Sequence, residues 1–159
     1  MAHGNVHAVL AVHQLQEAHH IVKIIQRLTD AHHNDIGHFL CVFNGEMFLT
    51  DLGAGEYTKD YFGAGRYDIL CNRSLGHSVP IINGLEQAAG REYQATQFAW
   101  NEEAKELTIS FGAAYPKGCI QEIVRKICMK EEDSLSLCIT DLFFPVEQTK
   151  EIVENLITA

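Results

Sequence analysis

The chain has 159 residues, 47% hydrophobic and 21% charged, a composition that sets aside a disordered chain, a collagen-like repeat and a coiled coil. It is long enough to bury a sizeable core as one domain, or as one domain with a flanking helix. Twelve Lys and Arg against 21 Asp and Glu give a formal charge of −9, the reverse of a nucleic-acid-binding balance, although a local cationic pocket would still admit an acidic ligand.

In the first thirty residues Ile21, Ile24, Ile25 and Leu28 recur at helical spacing, with Lys23, Gln26 and Arg27 between them and no proline over 8–29. This pattern predicts one amphipathic N-terminal helix. After Asp30 the texture changes to short apolar runs broken by turns. Residues 39–43, then Asn44-Gly45, then 47–49 read as a β-hairpin, because Asn-Gly supplies the two positive-φ positions of a tight turn. Residues 52–66 carry Gly53, Gly55, Gly63 and Gly65 and read as a long, shaped loop. Further strands are predicted at 78–82, 93–100, 107–113, 120–129 and 136–142, with a hairpin turn at 101–105; the run 120–129 also admits a helical reading. The expected fold is mainly β, an antiparallel β-sandwich preceded by one N-terminal helix. The expected division is a helical segment over 1–30 and a sandwich domain over 31–159 that is incomplete at its C-terminal edge.

No apolar run approaches membrane-spanning length, and residues 1–7 lack a signal-peptide pattern. Cys41, Cys71, Cys119, Cys128 and Cys138 are odd in number and widely spaced, as for reduced thiols in a cytoplasmic protein; Cys119, Cys128 and Cys138 sit among apolar neighbours as small core residues.

Nine histidines are present. His3, His7, His13, His19 and His20 read as solvated residues of the N-terminal segment. His33 before the first hairpin strand, Asp51 after the second, and His77 ahead of another strand form an N,N,O set suited to zinc. The same residues also fit two hydrogen-bonded loop histidines and a turn-forming aspartate.

His33-Asn34-Asp35-Ile36-Gly37-His38-Phe39, Asn44-Gly45, Leu49-Thr50-Asp51-Leu52-Gly53, Tyr57, Arg66-Tyr67, Ser74-Leu75-Gly76-His77-Ser78-Val79-Pro80, Ile82-Asn83-Gly84, Gln87, Gly90, Ala114-Tyr115-Pro116, Arg125 and Thr140-Asp141 together resemble the heparinase II/III family of polysaccharide lyases. The resemblance runs from about residue 32 to residue 159. It implies a β-sandwich that packs on an α/α toroid this chain lacks, with the substrate cleft between them. It implies a zinc ion, chiefly structural, held by His33, Asp51 and His77, with Asn34 or Asp35 behind the ligands. It implies β-elimination on a uronate of an acidic poly- or oligosaccharide, in which a base removes the proton α to the carboxylate and the 4-linked sugar departs. Tyr67, with Arg66 beside it as the cation a tyrosine base needs, and His32 are the catalytic candidates, and Tyr57 and Tyr67 are candidates for lining the cleft. The alternative for both tyrosines is aromatic packing. Ala31 stands where the family carries a catalytic histidine, and His32 is one position out of register with it. The sequence therefore also supports a non-catalytic, metal-stabilised domain that binds sugar or assembles as a homo-oligomer or with a partner chain supplying the toroid.

Overall fold

The computed structural model describes residues 10–14, 20–25, 34–43, 45–59, 61–131 and 135–159. The chain is mainly β, with its strands in antiparallel sheets. One sheet runs in chain order through β1 (Leu10–Gln14), β2 (His20–Ile25), β3 (Phe39–Phe43) and β4 (Glu46–Leu49). The strand β5 (Ile81–Ile82) pairs with β10 (Ile152–Val153). A four-stranded meander follows the order β6 (Gln97–Asn101), β7 (Glu106–Ser110), β8 (Glu122–Glu131), β9 (Leu135–Phe144).

The expected N-terminal helix is not formed by the described residues: 10–14 and 20–25 are strands, and β2 pairs with β3 from His20 opposite Phe43 to Ile24 opposite Phe39. The reason lies in residue type. Ile21, Val22, Ile24 and Ile25 are β-branched, stiff at χ1 and suited to a pleated surface, and four apolar residues in a short run satisfy a helical spacing by accident. Residues 26–33, which hold the expected domain boundary, lie outside the described residues, as does Asn44 of the expected hairpin turn.

The later strands follow their alternation. Leu107 and Ile109 of β7, and Ile123, Arg125 and Ile127 of β8, are buried, while Glu106, Thr108, Val124 and Lys126 are half-exposed. Within the run 120–129 the chain is strand from Glu122 onward, not helix. The 101–105 hairpin turn is present, with the Asn101 Oδ1 accepting the Ala104 N–H at 3.0 Å.

One core cluster joins Ile36, Ile82, Ile109, Phe111, Tyr115 and Ile123, with Phe143 and Ile152 against it. A second joins Phe39 of β3 to Leu107 and Ile127 of the meander, with Leu49, Trp100 and Ile139 alongside. Each fully buried Ile or Phe contributes about 1.5–3 kcal/mol relative to exposure. Phe39 thus fixes β3 against the meander, and the turn preceding β3 is carried with it.

Candidate metal centre

Three segments bring His38, Asp51 and His77 together, a buried group that could hold a metal ion. His38 ends the turn that leads into β3, its N–H donating to the Asp35 carbonyl at 2.9 Å. That turn depends on Gly37, which takes φ +87° and sits so close to the Phe111 ring that a Cβ would lie 3.1 Å from it. Asp51 follows β4, where its Oδ1 accepts the Gly53 N–H at 2.7 Å in an Asx turn. His77 follows three short 3-10 turns, Ala64–Asp68, Leu70–Asn72 and Ser74–Gly76. The last of these requires glycine at 76, since a Cβ there would stand 2.3 Å from the Leu70 carbonyl oxygen.

Asp51 Oδ2 is the meeting point. It lies 3.1 Å from His38 Nε2 and 3.2 Å from His77 Nδ1, and both rings are fully buried. The rings are inclined at 59° with centroids 5.0 Å apart. Burial alone would push the Asp51 carboxyl up; His38, His77 and the Gly53 N–H outweigh it and hold the carboxyl well below the usual carboxylate range. The group is therefore an ionised carboxylate facing two imidazoles. One ligand atom from each residue lies within 4.8 Å of the others, close enough for the group to hold a metal ion.

His38 carries one further constraint. Its Nδ1 accepts the Ser78 N–H at 2.8 Å, which requires a lone pair on Nδ1 and places the proton of the neutral ring on Nε2. That nitrogen approaches Asp51 without completing a hydrogen bond, and it has no hydrogen-bond partner among the described residues.

Behind the group stands Arg125, fully buried on β8. Its Nη1 donates to the Gly37 carbonyl at 2.9 Å and to the Ser78 carbonyl at 2.7 Å, one residue from His38 and one from His77. Its Nε and Nη2 grip Asp141 of β9, the Nε bond being 2.8 Å. The guanidinium also lies 5.0 Å from the Phe39 ring centre and 5.6 Å from that of Phe111. Glu154 approaches it at 3.5 Å. Burial, then the neighbouring Asp141, pushes the Glu154 carboxyl up to about 7 against the pull of Arg125.

Two more clamps fix the loops. Gln87 reaches across to Ile36, its Oε1 accepting the backbone N–H and its Nε2 donating to the carbonyl, each at 2.8 Å. Asn34 donates through Nδ2 to the Gln87 carbonyl at 3.0 Å, so its side chain belongs to this clamp. The C-terminal segment supplies the other clamp. Asn155 Nδ2 donates to the His77 carbonyl at 2.8 Å, the Ile157 N–H to Ser78 Oγ at 2.9 Å, and the Thr50 N–H to the Ile157 carbonyl at 3.0 Å.

Of the residues singled out by sequence, Asp51 and His77 meet. His32 and His33 lie outside the described residues. Arg66 and Tyr67 are half-buried in the first 3-10 turn, with the guanidinium carbon 5.8 Å from the Tyr67 ring centre and Nη2 donating to the Tyr61 carbonyl at 3.4 Å. Tyr57 is exposed and stacks within a cluster of Tyr57, Tyr61 and Phe62, ring centres 5.0–5.5 Å apart. His38 and the supporting role of Arg125 were not anticipated. Arg125 had a signal, since it shares the strand face of Ile123 and Ile127. The sequence matches no family model and no curated protein.

Proposed function

We propose that this chain is a β-sandwich module of a heparinase II/III-like polysaccharide lyase, braced by a structural zinc ion and acting on a uronate-containing acidic poly- or oligosaccharide. The observation that carries this reading is the meeting of Asp51 and His77. The two are 26 residues apart, were paired by the resemblance, and lie 3.2 Å from each other with His77 buried.

In this reading Asp51, His77 and His33 are the ligands, and His38 is a positioning residue. The Ser78 N–H occupies the His38 Nδ1 lone pair, so Nε2 carries the proton of the neutral ring and packs 3.1 Å from Asp51 Oδ2 as a neighbour of the ligand, not a ligand itself. The ion supplies a fixed charge that holds together the loops after β4 and before β5. Arg66 and Tyr67 sit on the same run of turns that leads to His77. Tyr67 is the group that takes or returns a proton at the sugar, with Arg66 beside its ring as the favourable cation; His32 is the second proton-transfer candidate.

The second reading is a metal-stabilised domain that binds acidic sugar or assembles with a partner chain without cleaving. It is favoured by how thoroughly Asp51 is engaged, by two rings and a backbone N–H, which suits bracing better than an open catalytic position.

Elemental analysis of protein purified without added metal, for the wild type and His77→Ala, tests the metal reading. Near-stoichiometric zinc that is lost in the variant is expected; equal metal in both removes His77 from the ligand set. Incubation with uronate polysaccharides then separates the two functions, because β-elimination leaves an ultraviolet-absorbing unsaturated uronate and binding alone does not.

A further inference from the structure

The meander carries a pair of cysteines that the metal centre does not use. In the β8–β9 ladder Cys128 stands directly opposite Cys138. Both lie on the outer face, because the alternation that buries Ile123, Arg125 and Ile127 turns Val124, Lys126 and Cys128 the other way. The two cysteines are half-buried, and the surrounding outer-face residues are polar. Glu106 of β7 is opposite Cys128, and Lys126 pairs with Glu106 at 3.2 Å. The sequence assigned both cysteines to the core; their strand positions place them outside it. Burial, and then the charge and hydrogen bond of the Cys138 thiol, raise the Cys128 thiol above its ordinary value, so the two groups are in each other's immediate field. The two other cysteines with hydrogen bonds, Cys71 and Cys119, are buried and are bonded to Asn72 Oδ1 and the Ile82 carbonyl.

Directly opposed residues of an antiparallel pair have Cβ atoms about 4.5–5.5 Å apart. A disulfide needs roughly 3.5–4.5 Å between Cβ atoms and about 4.4–6.8 Å between Cα atoms. The Cα spacing of a ladder is already suitable, and closing the bond requires the Cβ atoms to draw in by roughly 1 Å. A bond formed under that tension, on a half-exposed face, is readily reduced.

We propose that Cys128 and Cys138 form a reversible cross-strand disulfide by exchange with a small-molecule disulfide such as oxidised glutathione. The thiolate of one cysteine attacks a sulfur of the small disulfide and expels one glutathione thiolate, leaving a mixed disulfide. The thiolate of the second cysteine attacks the protein sulfur of that mixed disulfide and expels the other. Two protein thiols lose their protons and two electrons, and the small disulfide leaves as two thiols.

The test equilibrates the full chain in glutathione buffers of graded oxidation, quenches by alkylation, and maps linkages by mass spectrometry without reduction. The expected product is a monomer lighter by two hydrogens, with a Cys128–Cys138 linked peptide. It should unfold several degrees higher, because the bond closes a loop of about ten residues, and excess reduced glutathione should reopen it. Cys138→Ser and Cys128→Ser, each a small polar change on an outer face, should stop at the mixed disulfide on the remaining cysteine. Linkage elsewhere, covalent dimers, or a wild type that also stops at the mixed disulfide would overturn the proposal.

Discussion

Replacing Arg125 with Met removes the guanidinium while keeping a long apolar stem between Phe39 and Phe111. Breaking a buried ion pair from one side costs about 3–5 kcal/mol, because the partner charge stays behind unpaired. The carbonyls of Gly37 and Ser78 also lose their donor, at about 1–3 kcal/mol for each buried group left unsatisfied. These contacts form one network and do not add; we expect a loss of about 4–6 kcal/mol, a large part of the usual 5–15 kcal/mol. In a domain of this length that corresponds to a fall in Tm of about 10–20 °C. Thermal and urea unfolding of Arg125→Met, Asp141→Leu and the double variant provide the assay. The double variant should be more stable than Arg125→Met alone, because it no longer strands the Asp141 carboxylate. It should still bind metal more weakly than wild type, because Gly37 and Ser78, beside His38 and His77, stay unanchored in both. A loss below about 2 kcal/mol for Arg125→Met, or a double variant no better than the single, would refute the account of Arg125 as the joint that positions the site.

The Glu154 carboxyl, ordinarily near 4.5, is raised to about 7 in the fold, so the folded state holds its proton over that interval. The associated stability is fully present below about pH 4.5 and is lost as pH rises through about 7; partial exposure limits it to about 1 kcal/mol. Urea midpoints from pH 4.5 to 8 should flatten in Glu154→Gln, and an unchanged slope would dismiss the pairing with Asp141. His38→Ala should keep the metal stoichiometry while weakening affinity about 10–100-fold, measured by competition with a chelator; loss of stoichiometry as complete as in His77→Ala would make His38 a ligand. Tyr67→Phe should leave the thermal transition in place and lower turnover of, or affinity for, uronate polysaccharide, whereas an unfolded variant would show that the phenol serves packing.

The hydrophobic pattern made most of the meander legible. Leu107 and Ile109 alternate with polar neighbours, and so do Ile123 and Ile127, because one face of each strand packs on the core. The same reasoning failed at 20–25, where four apolar residues in a run of six leave the period undefined; the pairing of β2 with β3, set by distant residues, decided the outcome. The 3-10 turns over 64–76 were invisible for another reason, since one-turn elements have no period to read. At the site, Asp51 and His77 entered through their places at the ends of β elements, and the resemblance mapped to the same residues. His38 escaped notice because it and Phe39 are consecutive and both fully buried, which strand alternation forbids; the turn at Gly37 makes it possible. Arg125 is the converse, a charged residue that the alternation of Ile123 and Ile127 sets on the core face.

The C-terminal clamp bears on the order in which the molecule can be assembled during synthesis. Each hairpin of the meander joins neighbours in sequence and closes over a short loop, so β6 to β9 can pair while the rest of the chain is still emerging. The loops around His77 and Asp51 have to wait. Ser78 meets Ile157 across 79 residues, and His77 meets Asn155 across 78. Until those residues leave the ribosome, two of the three segments that carry the histidine–aspartate group lack the partners that the C-terminal segment supplies. A nascent chain held short of residue 155 would thus present a folded meander beside an unfinished centre, and Asn155 and Ile157 would be the residues that close it.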